Sequence, residues 1–282
     1  VGLLRYWRYL KSIVHTPHGH IFYGYFSPFL TNVLVSIERF VTKCTSALIT
    51  LTEKERQEYL DRNIGKPDAI FPILSGIDLE PFLRDDEKKT DIRKELHLTE
   101  YAFIAGTVAR LVHVKNHDLI VSAASMIADS IPELMFVFVG DGDLHEHLQN
   151  RIIQLGLSKQ FVFLGWRNDT VRLLKAFDFF IMCSHNEGMG RAFVEAQASG
   201  LPVIGSTAGG IPEVLRENIT GYLVPDNAPE ALASAITTIY NKRNERETIA
   251  KACREWVNPK FSKEVMVESI ESLYFKFLQS AH

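Results

Sequence analysis

Residues 179–214 read FFIMCSHNEGMGRAFVEAQASGLPVIGSTAGGIPEV, and this one stretch holds a strand, a turn, a helix, a second strand and a second turn. The apolar run Phe179–Cys183 shows no polar alternation, the pattern of a parallel strand buried on both faces. Ser184–Gly190 is polar and glycine-bearing, which suits the turn where such a strand hands over to a helix. The helix expected over Arg191–Ser199 stops at Gly200 with Pro202 just beyond, and Pro202–Gly205 reads as the next short strand. Gly209-Gly210 makes a second turn at the same edge. In a sheet of this kind ligands gather at the carboxyl ends of the strands.

Glu187 and Glu195 are eight residues apart, which puts Glu187 on the loop at the helix mouth and Glu195 about one turn inside the helix. A single helical glutamate is usually a solvated residue. Here both carboxylates can face one ligand beside the open amides of Gly190, Arg191 and Ala192. Amides at a helix N-terminus suit phosphate, and paired carboxylates suit sugar hydroxyls. Phosphate joined to a polyol is a sugar nucleotide. The run Gly188-Met-Gly190-Arg-Ala-Phe193 half-matches a dinucleotide fingerprint, but its last position is Phe and no acidic residue ends the next strand at Gly205-Ser206.

Glu187-Gly-Met-Gly, Phe193-Val-Glu195-Ala, Gly200-Leu-Pro-Val-Ile and Gly209-Gly-Ile-Pro-Glu213 together resemble the E-x7-E segment of the family 4 retaining glycosyltransferases. The resemblance implies the GT-B fold, α/β with two doubly wound Rossmann-like domains. It further implies transfer of a hexose from a UDP- or GDP-sugar to a hydroxyl acceptor such as a glycan or lipid-linked sugar, with retained anomeric configuration and no metal or other cofactor. By the same resemblance Glu187 is a catalytic residue that contacts the donor sugar, and Glu195 holds the ribose. This chain has Met189-Gly190-Arg191-Ala192 where most members carry Phe-Gly-Leu-Pro.

Working outward, Gly106-Thr-Val-Ala-Arg110-Leu-Val-His-Val-Lys115 sets two cations at the end of an apolar strand. Arg110 can fork two phosphate oxygens and Lys115 supplies a point charge, matching a diphosphate that gains negative charge as it leaves. The family carries the same Arg and Lys there. Gly165-Trp166-Arg167 ends a further strand, and by resemblance Trp166 and Arg167 border the nucleotide base, although Trp166 can equally cap the core. Near the start, His15-Thr-Pro-His18-Gly-His20 invites zinc, but the spacing matches no metal signature and no Cys or acidic ligand stands nearby. It resembles the family loop that faces the donor hexose, which makes His18 the second catalytic candidate.

The pattern from Phe103 to Ala176 alternates strand and helix three times, which builds a parallel sheet covered on both faces. Ahead of it, Ser12–Thr16, Ala47–Leu51 and Ile70–Leu74 read as strands, with helices over Thr31–Lys43 and from the capping box Thr52-Glu-Lys-Glu55 to about Arg62. Ser75-Gly76-Ile-Asp78 resembles the family's interdomain hinge. The expected domains are therefore a partial, acceptor-side unit over 1–75, joined by a terminal helix over 262–282, and a nucleotide-sugar unit over 76–261. Three strands make that first sheet incomplete, and an incomplete sheet exposes an unpaired edge. With Val rather than Met at its start, the chain reads as lacking the beginning of its first domain.

The composition sets bounds. A formal charge of −3 excludes a large nucleic-acid surface. Cys44, Cys183 and Cys253 lie far apart and read as buried free thiols of a reducing, cytoplasmic compartment. No apolar run reaches the roughly 20 residues of a membrane span. Val1–Leu10 carries Arg5 and Arg8 on one side and Leu3, Leu4, Trp7 and Leu10 largely on another, which is an ordinary packed helix or a peripheral contact with the inner face of a membrane. Two rivals stay open: a GT-B sugar-nucleotide 2-epimerase, disfavoured by the glutamate pair, and a sugar-nucleotide-binding fragment without catalysis.

Overall fold

The computed structural model describes residues 12–17, 27–84, 87–99 and 102–279. The expected helix over Val1–Leu10, and both His18 and His20, lie outside the described residues. The chain divides into two compact units, one taking residues up to Gly76 and from Phe261 onward, the other Ile77–Lys260.

The first unit runs β1 (Val14–His15), α1 (Pro28–Thr42), β2 (Ala47–Thr50), α2 (Glu53–Asp61) and β3 (Ile70–Pro72), with the strands parallel in the order β1-β2-β3. Ser27 opens α1, its hydroxyl accepting from Leu30 N at 3.4 Å with Pro28 in the first turn, where a missing N–H costs nothing. The capping box at α2 is present in altered form. Thr52 Oγ1 accepts from Glu55 N at 3.1 Å, while Glu55 Oε2 reaches past the cap to Leu51 N at 2.6 Å. Alternation along β2 sends Leu48 into a cluster with Val35, Tyr59, Ile64 and Ile70, and Ala47 and Ile49 into another with Leu273 of the last helix, Lys263–Gln279. The first strand is shorter than Ser12–Thr16 because only Val14 and His15 pair with β2.

The second unit contains α3 (Glu80–Leu83), α4 (Lys89–Glu95), β4 (Phe103–Val108), α5 (His117–Ile127), β5 (Leu134–Val139), α6 (His145–Gln154), β6 (Phe161–Gly165), α7 (Thr170–Ala176), β7 (Phe179–Met182), α8 (Arg191–Ala198), β8 (Val203–Ser206), α9 (Ile211–Val214), β9 (Gly221–Val224), α10 (Pro229–Asn241) and α11 (Arg246–Val257). Its six strands are parallel in the order β6-β5-β4-β7-β8-β9. Every residue of β7 and β8 is buried, as the unbroken apolar runs required. A 3-10 turn at Arg243–Glu245 leads into α11. Cys183 and Cys253 are buried and burial pushes each thiol up to about 12, so both are inert; Cys44 is only half-buried, contrary to expectation.

One polar knot fixes α4 to the sheet. Asp178 accepts from Lys89 Nζ at 2.7 Å, Arg93 Nη2 at 2.6 Å and Ile104 N at 2.7 Å. Arg93 also donates to the carbonyls of Ala176 and Ala102, and Lys89 to that of Phe177, so two cations serve the last carbonyls of α7. Burial lowers the Lys89 pKa, an effect that Asp178 opposes. Removing the carboxylate leaves two desolvated cations facing each other. Asp178→Ala is expected to destabilise the second unit by about 3–5 kcal/mol, read as the shift of its denaturant transition by tryptophan fluorescence. A shift below about 1 kcal/mol would show that the carbonyl acceptors suffice.

Candidate active site

The strand order reverses between β4 and β7. From β4 the sheet grows through β5 to β6 on one side, and from β7 through β8 to β9 on the other. Loops leaving the carboxyl ends of β4 and β7 therefore diverge and leave a crevice, the place where open parallel sheets hold ligands. Arg110 and Lys115 follow β4, and Glu187 follows β7.

The two loops are tied together by side chains and backbone. Lys115, at the end of a 3-10 turn, donates to Glu187 Oε1, with side-chain exposures of only 16% and 17%. His185 N donates to Val114 O at 2.9 Å, and the rings of His113 and His185 stack with centroids 5.4 Å apart. A third loop joins through Asp226, just beyond β9. Its carboxylate oxygens each lie 2.9 Å from His185 Nδ1, and Asn116 Nδ2 donates to Oδ1 at 3.4 Å. Sequence reading missed His185 and Asp226, which sit in no motif and become neighbours only when β7 and β9 bring their loops to one edge.

Two glycines make close approach possible. Gly209 has φ 53°, and a Cβ there would stand 1.8 Å from Glu187 O, while Gly210 N donates to that same carbonyl at 2.9 Å. Gly140, with φ 137°, lets the β5 loop lie against the chain before Arg110, where a Cβ would meet Ala109 O at 2.0 Å. Arg110 itself is exposed and its guanidinium makes no hydrogen bond or ion pair with the described residues.

Gly190, left-handed at φ 75°, starts α8 with no side-chain cap, so no side chain of the cap takes the amides at its N-terminus. Glu195 is half-buried within α8. Burial pushes its carboxyl above the usual carboxylate range, an effect that Arg191 opposes, and the carboxylate has no hydrogen-bond donor among the described residues. Trp166 and Arg167 lie at the end of β6, two strands from the crevice. Trp166 is 76% exposed and does not cap the core, and Arg167 is held by both oxygens of Asp169 at 2.8 and 2.7 Å. Of the N-terminal histidines only His15 is described, with Nε2 3.2 Å from Glu38 Oε2. Among the described residues no group of three or more His, Cys, Asp and Glu is placed to hold a metal ion.

Residues 88–256 match the family model of the glycosyl transferases group 1. The chain belongs to that family. This group 1 glycosyl transferase is 32% identical to the UDP-Gal:alpha-D-GlcNAc-diphosphoundecaprenol alpha-1,3-galactosyltransferase of Escherichia coli, over 94% of its own length and 69% of that protein. It is 25% identical to the capsular polysaccharide biosynthesis glycosyltransferase CapM of Staphylococcus aureus, over 88% of its length and 66% of the relative. Among solved structures, Anabaena HepE in complex with UDP and glucose superposes with a TM-score of 0.84 at 23% identity, over 94% of this chain and 72% of that one. The sucrose-phosphate synthase of Thermosynechococcus elongatus gives 0.81 at 24% identity, over 95% and 68%. Its two parallel α/β sheets are the GT-B architecture.

Beside the crevice, His117 opens α5 fully buried, edge-on to Phe138, with neither ring nitrogen hydrogen-bonded. Burial, helped by the Lys115 charge, lowers its pKa to about 4. The folded group is thus neutral where an unfolded imidazole, titrating near 6.5, begins to take a proton. Stability from this site is complete above pH 6.5 and drains away as the pH falls toward 4. Between pH 7 and 4.5 the loss is expected to be about 2–3 kcal/mol, and His117→Phe is expected to remove that part of the slope. Equal slopes for both proteins in urea unfolding would show that His117 does not titrate this way.

Proposed function

We propose that this chain transfers a hexosyl group from a nucleoside diphosphate sugar, a UDP- or GDP-sugar, to a hydroxyl of a glycan or lipid-linked acceptor, with retention and without a metal ion. The observation that carries the reading is the pairing of Lys115 with Glu187 across the switch point, beside the uncapped start of α8. Cations, open amides and carboxylates meet there, and these are the groups a phosphorylated polyol requires. Family membership supports the reaction class, and the E. coli relative, named for galactosyl transfer to a diphosphoundecaprenol-linked sugar, supports the kind of donor and acceptor. Acceptors of that kind are compatible with work at a membrane surface, and no described helix is long and apolar enough to cross one.

Each residue has a role in this reading. As the bond between the anomeric carbon and the diphosphate oxygen breaks, its electron pair leaves with the diphosphate, where Arg110, Lys115 and the first amides of α8, from Gly190 and Arg191, stabilise the growing charge. Glu187 faces the sugar, and its carboxylate stabilises positive charge at the anomeric carbon. Glu195, a half-buried carboxylate with no protein donor, accepts from the ribose hydroxyls, which favour its ionised form. Trp166 offers the base an exposed ring face, whereas Arg167 contributes through its backbone, since Asp169 holds its guanidinium.

Arg110→Ala is expected to weaken UDP or GDP binding by about 1.5–3 kcal/mol, the worth of hydrogen bonds to a charged group. Glu195→Ala should weaken free nucleotide and nucleotide sugar alike. Glu187→Ala should leave nucleotide affinity within about twofold and abolish transfer. Calorimetry with UDP and GDP, paired with transfer assays over UDP- and GDP-sugars and lipid-linked acceptors, checks all three. Transfer at the unaltered rate by Glu187→Ala would overturn its role, and epimerised donor without acceptor product would overturn the reaction.

A further inference from the structure

A cavity of about 950 Å³ in the second unit lies away from the crevice, at the opposite edge of the sheet, where the strands begin. Ala102-Phe103, Phe177-Asp178 and Leu201-Pro202 form its floor, and the first two turns of α11 form a wall. Helices antiparallel to the strands end here, so carbonyl ends face the cavity and some cations are expected to answer them. The lining holds nine Lys and Arg against five Asp and Glu, a surplus that this duty does not exhaust.

Sorting the cations by what they touch isolates a pair. Lys89 and Arg93 serve Asp178 and the end of α7. Arg243 donates to Tyr240 O at 3.1 Å, and Lys242 to the Tyr222 hydroxyl at 3.0 Å. Arg246 and Arg254 are different. They stand eight residues apart on α11 and both line the cavity, with about 12 Å of helix between their Cα atoms. Neither guanidinium makes a hydrogen bond or ion pair with the described residues, and Arg254 Nε is buried with no acceptor. The absent side chain of Gly200 makes room for Arg254, since a Cβ there would stand 3.2 Å from Nη2. If Arg254 served only to cap α8, it would donate to that helix's last carbonyls, and it does not.

We propose that this cleft binds a compact, multiply charged oxyanion, a phosphate or diphosphate, gripped by Arg246 and Arg254 at a site separate from the switch-point crevice. Guanidinium forks match the oxygens of such groups, and the Nε of Arg254, buried with no protein acceptor, lacks the partner that a buried polar group requires. The concave shape suits a soluble anion better than a flat lipid surface. The first turn of α11, with no side-chain cap, adds the positive end of a helix to the same wall.

The test is calorimetric titration of the whole chain with inorganic pyrophosphate at low salt, in the presence of saturating UDP so that any donor site is filled. One equivalent is expected to bind. Arg246→Glu, at an exposed position where the fold tolerates change, should weaken that binding at least tenfold and leave UDP affinity and the melting temperature unaltered. Arg254→Gln should do the same to pyrophosphate. Lys115→Ala should leave this equivalent intact, so the outcome is independent of the donor-site reading. The proposal is overturned by three results: no pyrophosphate bound under these conditions, unaltered affinity in both arginine variants, or binding to phosphatidylglycerol vesicles with none to free pyrophosphate.

Discussion

The carbonyl of Glu187 and the backbone of Gly209-Gly210 occupy space that any side chain at Gly209 would need. That contact sets the site. It locks the loop after β7 onto the loop after β8 and so fixes the main chain of Glu187, whose carboxylate Lys115 then holds. With the loop fixed, His185 N is in place to bond Val114 O, which brings the 3-10 turn and Lys115 alongside. A chain of short backbone contacts thus runs from β8 through β7 to β4, and the charged groups ride on it. Preorganisation of this kind lowers the cost of holding a charged ligand, because the groups that meet it are already ordered.

The two edges of the six-stranded sheet solve different electrostatic problems. At the carboxyl edge, the N-terminus of α8 and the cations after β4 gather positive potential around a crevice made by strand order. At the amino edge, helices deliver their carbonyl ends, and Lys89 and Arg93 answer them while neutralising Asp178. α8 spans the sheet between these edges, with Gly190 at one end and Gly200 at the other. Its eight residues cover only about 12 Å, so charge at either edge is felt over a short, low-dielectric path.

Much of this was legible in the chain itself. The short, largely apolar runs at Phe103, Leu134, Phe179 and Val203 read as buried strands, and the helical segments between them pointed to a parallel sheet. The stop at Gly200 and the capping box at Thr52 were local rules, and the structure keeps both, the latter with Glu55 bonded one residue further back at Leu51. The short helices at Glu80–Leu83 and Ile211–Val214 were not legible, since four residues are too few to show a period. Arg110, Lys115 and Glu187 lie on the loops after β4 and β7, and Glu195 inside α8, where their spacing from the strand ends puts them, because that spacing is set by local sequence.

What the sequence could not contain is who faces whom. Strand order decides that β4 and β7 are neighbours, and only then do Lys115 and Glu187, 72 residues apart, share a proton-bearing contact. The same holds for His185 with Asp226, and for Arg254, whose lack of an acceptor is a property of its surroundings. Arg167 shows the reverse. Its place beside a strand end suggested a ligand contact, and a carboxylate two residues on had already taken its guanidinium. Local chemistry dictated the strands, the helices and the kinds of residue at their ends; long-range packing, which fixes distance and dielectric together, decided which of those residues pair with each other and which are left to bind something else.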